Sequence, residues 1–236
     1  MPVLYGEAPR RALAVYAHPD DPEISCGATL ARWAAAGSEV HVLVLTRGEK
    51  GSKDADVDPD ELARRRSGEM DAAGKVIGLA GREQLGIDDG ELAESRDVRE
   101  RIVATIRRTR PDVVVCPDPT AEIFGDTYFN HSDHRTAGWM TLDAVSPAAG
   151  NPHYFPSAGP PHAVGVVLLS GTLEPNVWVD VTDSLETKID ALLCHTTQLE
   201  GSEDLFREVL RGRAEAEGET AGVRYAEGFR RLTLSG

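Results

Sequence analysis

Apolar positions along the chain follow two patterns, short uninterrupted runs and longer stretches with helical spacing. Runs rich in β-branched and other aliphatic residues, such as Arg11–Ala17 and Glu39–Leu45, are typical of strands buried on both faces. Between them, Ile24–Ala36 carries apolar residues at helical spacing and stops at Gly37, a residue type common just after a helix. The chain therefore begins with a predicted strand, helix and strand.

The same alternation continues through the rest of the chain. Asp58 and Glu61 supply capping side chains, which predicts a helix over Pro59–Ile77 that ends at Gly78. The other predicted strands are Gln84–Ile87, Asp112–Cys116, Ala163–Leu169, Val177–Val181 and Phe229–Leu234. The other predicted helices are Val98–Thr109, His131–Val145, Leu185–Leu199 and Asp204–Glu217. We therefore expect an α/β fold, a Rossmann-like three-layer αβα sandwich with a mostly parallel sheet.

Domain organisation follows from length and from the absence of linkers. The 236 residues show no internal repeat and no linker long enough to separate domains, which predicts a single domain over residues 1–236. The segment Ser146–Pro161 is rich in Pro, Gly and Ala, and we interpret it as a loop at the rim of an active site.

Charge and composition exclude several classes of partner. The chain has 25 Lys and Arg against 39 Asp and Glu, a net charge of −14, so a phosphate backbone or an anionic membrane would be repelled. We expect no nucleic-acid partner. Neither a spanning apolar run nor a signal-like start is seen, which predicts no membrane insertion and a cytoplasmic location. Three scattered cysteines argue against a disulfide framework and against a thiolate metal site.

Two polar clusters follow predicted strands. The segment His18–Asp21 comes directly after the first strand, and His131–His134 opens the helix that follows the strand Asp112–Cys116. Ligands of open parallel sheets bind beyond the carboxyl ends of the strands, where strand order reverses. If these two strands are central neighbours, the clusters face each other across one crevice.

The residue types in these clusters suit a catalytic metal. His18 and Asp21 are three residues apart, as are His131 and His134, so each pair can point to one side. Two imidazoles and one carboxylate with an open fourth position form a ligand set of catalytic zinc, and they also accept iron or cobalt. Spacing alone does not decide which histidine of the second cluster is the ligand.

Two further carboxylates have roles beside such a metal. Asp20 is the candidate general base, because adjacent residues do not easily both reach one metal. Asp133 is the candidate to orient one of its neighbouring histidines.

The order of several motifs resembles a known family. The segments AHPDD, GATLARWAAAG, VHVLVLTRGEKG, RRRSGEMDAAGKVIG and NHSDHRTAG resemble the PIG-L/LmbE-like family of zinc-dependent N-acetylglucosaminyl deacetylases. The resemblance covers roughly Arg11 to Thr141, and more weakly the later segment KIDALLCHTTQ. It implies an LmbE-like fold and one zinc ion per chain.

The resemblance also implies residue roles. His18, Asp21 and His134 would be the zinc ligands, Asp20 the general base, and His131 a group that assists the transition state, tuned by Asp133. Glu49, Arg64 and Asp89 resemble positions near the substrate. Arg64 also fits a solvated helix face, and Asp89 also fits a turn residue.

Two positions depart from the family pattern. Ser132 replaces a proline, which we expect to have little effect because Ser is also tolerated at a helix start. Phe129 stands where some members have a tyrosine that helps to hold the oxyanion. The neighbouring Tyr128 is expected to point elsewhere.

The activity that the resemblance implies is removal of the acetyl group from an N-acetylglucosamine-type amino-sugar conjugate, a small molecule. The 21 Arg against 4 Lys, with abundant Ala, are typical of a GC-rich bacterial genome. Compact members of the family are often multimeric, so a homo-oligomer is an expectation, with Leu185–Leu199 as a candidate interface. The open alternatives are an amidase of the same fold acting on a thiol conjugate or an antibiotic-like amide, a magnesium phosphatase, and a metal-binding scaffold without turnover.

Overall fold

A seven-stranded sheet forms the centre of the computed structural model, which describes residues 2–234. The ends of the predicted domain, residue 1 and residues 235–236, lie outside the described part. The strands are β1 (Arg11–Tyr16), β2 (Glu39–Thr46), β3 (Gly81–Ile87), β4 (Val113–Pro117), β5 (Ile123–Phe124), β6 (Tyr128–Phe129), β7 (Val166–Ser170), β8 (Val177–Asp180) and β9 (Ala226–Thr233). β5 and β6 form a separate small hairpin.

The order of strands in the sheet is β3-β2-β1-β4-β7-β9-β8. The first five run parallel, and β9 runs antiparallel to both of its neighbours. The chain builds outward from β1 to β3 and then crosses back to place β4 on the other side of β1. Strand order therefore reverses between β1 and β4, where an open α/β sheet has its ligand crevice.

Helices cover both faces of the sheet and complete the predicted αβα sandwich. They are α1 (Asp21–Ala35), α2 (Pro59–Ile77), α3 (Arg96–Thr109), α4 (Ser132–Asp143), α5 (Leu185–Leu192), α6 (Thr196–Leu199) and α7 (Glu203–Ala221). Leu13 and Val15 of β1 pack in a core with α3 and α4, whereas Ala14 and Tyr16 pack with α1 and α2. Because both faces are covered, the strand is apolar throughout rather than alternating.

Local sequence signals set several helix ends. The Asp58 side chain accepts a hydrogen bond from the backbone N–H of Asp60, and Gly78 ends α2 with a φ of 84°. This helix has the predicted bounds. The first helix begins at Asp21, three residues before the predicted start at Ile24, with Pro22 in its first turn.

The prediction of one continuous helix over Leu185–Leu199 is wrong. Helix α5 ends at Leu192, and α6 resumes at Thr196. The break turns His195 into the interior, where its Nε2 lies 3.4 Å from Oε2 of the buried Glu23. Contact between two buried polar groups outweighs helical propensity here, which apolar spacing does not reveal.

The interpretation of Ser146–Pro161 as an active-site rim is also wrong. The buried guanidinium of Arg107 in α3 donates to carbonyl oxygens of this segment, those of Ala148, Ala149, Asn151, Tyr154, Phe155 and Gly159. His162, just beyond the segment, donates to the carbonyl of Pro111, which precedes β4. The loop therefore lies at the amino ends of the strands, opposite the two polar clusters.

Among residues 2–234, no helix is both long and apolar enough to cross a membrane.

Candidate metal centre and catalytic cavity

The two polar clusters meet at the carboxyl ends of β1 and β4, which pair directly in the sheet. The first cluster continues from β1 into α1. The second opens α4, where the Nδ1 atom of His131 accepts a hydrogen bond from the backbone N–H of Asp133 at 3.2 Å. Since Nδ1 is an acceptor, the ring proton of neutral His131 is on Nε2.

Three side chains present metal-ligating atoms to one point. His18 Nδ1 lies 3.1 Å from His134 Nε2 and 3.4 Å from Asp21 Oδ2, and His134 Nε2 lies 3.2 Å from Asp21 Oδ1. Ligand atoms about 2.0–2.2 Å from a tetrahedral zinc ion are separated from one another by about 3.3 Å. The spacing and the chemistry of this donor set (His18, Asp21 and His134) therefore fit zinc.

Strong negative charge surrounds the donor set. Burial alone would lower the pKa of His18, but the charge of Asp21 and hydrogen bonds to Asp133, Asp21 and Asp89 raise it to about 12. Burial opposes ionisation of Asp21, yet His134 and His18 hold its pKa well below the usual range. The field that favours a proton on His18 would equally attract a metal cation.

Two carboxylates and an amide contact the ring nitrogens of His18 and His134 that lie on the side away from the donor set. His18 Nε2 lies 3.1 Å from Asp89 Oδ1 and 3.5 Å from Asp133 Oδ2. The Nδ1 atom of His134 lies 2.9 Å from the amide oxygen of Asn130. Such partners hold a ligating imidazole in one orientation and raise its basicity. The Asp133 carboxylate thus contacts His18 of the other cluster, rather than the histidines next to it in sequence.

Glu49 binds the backbone of the loop that carries Asp89. Its two carboxylate oxygens accept from the backbone N–H of Asp89 at 2.9 and 3.1 Å, and its side chain is buried. The next residue, Gly90, donates its backbone N–H to Asp133 at 2.8 Å. Glu49 therefore holds the loop whose Asp89 contacts His18, and Asp89 itself also lines the cavity described below.

The candidate base Asp20 is held by a buried arginine. Arg66 donates from Nη2 to Asp20 Oδ1 at 2.6 Å and from Nη1 to the Gly48 carbonyl at 2.8 Å, and it is 2% exposed. Gly48 has a φ of 67°, and a Cβ there would lie 2.5 Å from Arg66 Nη1. Only glycine fits both the backbone and the guanidinium at this point.

Arg64, two residues before Arg66, does not reach the site. The Arg64 side chain is 69% exposed and pairs with Glu61 on the outer face of α2. This placement contradicts the expectation that Arg64 contacts the substrate. The spacing of α2 contained the signal for Arg66, because a charged residue four after Leu62 and four before Met70 lies on the apolar, buried stripe.

Arg66→Lys is expected to lower kcat/KM about tenfold. Lysine keeps the charge but not the planar fork that spans the Asp20 carboxylate and the Gly48 carbonyl. Steady-state kinetics compared with the matched variant Arg64→Lys measure the effect. Equal losses in the two variants would show that Arg66 does not position Asp20.

A cavity of about 480 Å³ opens over the donor set. Its lining residues are His18, Asp20, Asp21, Ile24, Lys50, Gly51, Arg66, Asp89, Gly90, Tyr128, His131, His134 and Gln198. Burial and the charge of His18 lower the pKa of His131. Lys50 and Gln198 were not among the predicted site residues, although both lie in segments that resemble the family, TRGEKG and KIDALLCHTTQ.

The tyrosine next to Phe129 does face this cavity, contrary to expectation. Tyr128 lines it, whereas Phe129 is 63% exposed and lies under the guanidinium of Arg135 at 4.6 Å. Successive side chains of a strand point to opposite sides, and in β6 Tyr128 lies on the side of the cavity. The register of so short a strand is not visible in its sequence.

Comparison with known proteins identifies relatives along most of the chain. Residues 13–145 match the family model PIG-L, described as GlcNAc-PI de-N-acetylase. The chain is 37% identical to a diacetylchitobiose deacetylase of Thermococcus kodakarensis, over 94% of this chain and 82% of the relative. It is 32% identical to a 1D-myo-inositol 2-acetamido-2-deoxy-alpha-D-glucopyranoside deacetylase of Rhodococcus jostii, over 80% of this chain and 82% of that protein.

A solved structure agrees with these sequence relatives. The N,N'-diacetylchitobiose deacetylase of Pyrococcus horikoshii superposes with a TM-score of 0.87 at 30% identity, over 95% of this chain and 84% of that chain. The family model covers both polar clusters and every strand from β1 to β4, apart from the first two residues of β1. On these grounds the chain belongs to the PIG-L/LmbE-like family of N-acetylglucosaminyl deacetylases.

Proposed function

We propose that this protein is a zinc-dependent hydrolase that removes the N-acetyl group from an N-acetylglucosamine-type amino-sugar conjugate. One observation carries the proposal: three donor atoms spaced as around a tetrahedral ion share a cavity with a further carboxylate, that of Asp20, which Arg66 holds. The deacetylase relatives support the reaction class.

The donor set determines what a bound ion would contribute. Zinc held by His18, Asp21 and His134 would polarise the acetamide carbonyl and lower the pKa of water. Iron or cobalt would fit the same ligands.

Asp20 is suited to move the proton. Arg66 engages its Oδ1 atom, which leaves Oδ2 to take a proton from the attacking water. The bond from water oxygen to the acetamide carbon forms, the carbon–nitrogen bond breaks, and Asp20 returns the proton to the leaving amine. The products are acetate and the free amino sugar.

His131 is suited to stabilise the oxyanion. Its Nδ1 atom is occupied by the Asp133 backbone N–H, so the Nε2–H group is the ring's hydrogen-bond donor. A donor fixed by a helix cap needs little reorganisation as charge develops on the carbonyl oxygen.

Acetate release tests the proposal. Purified protein would be assayed with N-acetylglucosamine and N,N'-diacetylchitobiose, with metal content measured by elemental analysis on the same samples. We expect acetate release that stops after chelation and returns with zinc. Metal without acetate from either compound would favour an amidase acting on a different amide, and acetate release that survives complete metal removal would overturn the proposed mechanism.

A further inference from the structure

A second cavity, of about 260 Å³, lies beside the catalytic one. The two share Asp21, Ile24, Tyr128 and His134 as walls, so they meet across two of the proposed metal ligands. A substrate whose acetamide lies at the donor set can therefore extend into this second cavity, which we call the distal cavity.

Most polar groups around the distal cavity are already satisfied within the protein. Asp118 is buried, and its Oδ1 accepts from Thr120 while its Oδ2 accepts from the Thr172 hydroxyl at 2.6 Å. The hydroxyls of Tyr16 and Ser170 are 2.7 Å apart and hydrogen-bond each other. These groups shape the wall and have little capacity left to bind a charged ligand.

Arg213 of α7 is the exception. This residue lines the distal cavity and is exposed, and within residues 2–234 no carboxylate lies within 4 Å of its guanidinium. The other two arginines of this helix are paired, Arg211 with Glu186 at 2.8 Å and Arg207 with Asp190 at 4.0 Å. The chain has a net charge of −14, so a guanidinium without a carboxylate partner stands out beside the catalytic cavity. Such a group can bind an anion.

We infer that the distal cavity binds an oxyanion group of the substrate, such as a phosphate, sulfate or carboxylate, through Arg213. The inference rests on the proposed function and narrows its substrate class. The anionic group belongs to the amino-sugar side of the scissile amide, because an acetyl group adds only one methyl beyond the carbonyl and does not need a second cavity. The planar fork of a guanidinium matches the paired oxygens of such groups.

A binding experiment separates this inference from the deacetylase activity. Zinc-loaded protein would be titrated calorimetrically with glucosamine 1-phosphate and with glucosamine, which carry the same sugar with and without the oxyanion. Acetate release would be measured in parallel with the two corresponding N-acetylated compounds. Wild type is expected to bind the phosphorylated sugar more tightly, and Arg213→Gln to reduce that preference about two- to fivefold, as expected for an exposed charged contact.

Arg211→Gln is the matched control, since it removes the same charge two residues away on the same helix. It is expected to retain the wild-type preference, which should weaken as salt is raised. Equal affinity of the wild type for the two sugars would overturn the inference. A preference for the phosphorylated sugar that Arg213→Gln retains would also overturn it, because the metal would then hold the phosphate. A preference lost only in Arg213→Gln, together with no acetate release, would support the distal cavity and overturn the proposed function.

Discussion

Asp20→Asn is expected to lower kcat by about 10²–10⁴-fold while metal content stays near that of wild type, because Asp20 acts as a base and not as a ligand. Asparagine has the same shape, and its amide oxygen can still accept the 2.6 Å hydrogen bond from Arg66. The substitution therefore removes the proton acceptor and keeps the local packing. Acetate-release kinetics and elemental analysis on the same preparation measure both quantities.

Asp21→Asn should behave in the opposite way. It replaces a carboxylate whose two oxygens lie 3.2 Å and 3.4 Å from the histidine nitrogens, so metal content itself should fall, and activity with it. Asp88→Asn, on the exposed surface beside the site, controls for loss of one negative charge. Loss of metal in Asp20→Asn would show that Asp20 is a ligand, and unchanged kcat would place the base elsewhere.

Lys188→Met is expected to lower the free energy of unfolding by about 3–5 kcal/mol, because it leaves a buried carboxylate without its partner. The Lys188 ammonium lies 2.6 Å from Glu227 Oε1, and both side chains are buried. Glu227 also accepts from the backbone N–H of Thr29 at 2.8 Å, just after α1 leaves helical geometry at Cys26. Methionine keeps the hydrocarbon stem, so most of the loss reflects the uncompensated charge.

Denaturant unfolding at fixed metal load measures this change. Lys75→Met, an exposed lysine in α2, should stay within about 0.5 kcal/mol of wild type. Adding Glu227→Gln to Lys188→Met should recover part of the loss, since it removes the unpaired charge. If the double variant is no more stable than Lys188→Met alone, lost packing rather than charge accounts for the effect.

Much of the fold and part of the candidate site could be predicted before any coordinates. The bounds of α2 followed from Asp58, Pro59 and Gly78, which act through contacts within a few residues. The family resemblance rested on motifs that the family model also spans. The family resemblance pointed to Arg64, which is exposed, whereas helical periodicity places Arg66 on the buried stripe that contains Leu62 and Met70.

Local spacing and residue chemistry were enough to predict the alternation of strands and helices, the αβα layering and the types of side chain available to a metal. The contacts between groups far apart in the chain, Arg66 with Asp20 and Asp89 with His18, are visible only in the folded protein. The fold also places Tyr128 in the wall of the catalytic cavity and Arg213 in the wall of the distal cavity. Such pairings depend on side-chain direction at loop ends and on packing between elements far apart in the chain, and neither produces a local pattern in sequence.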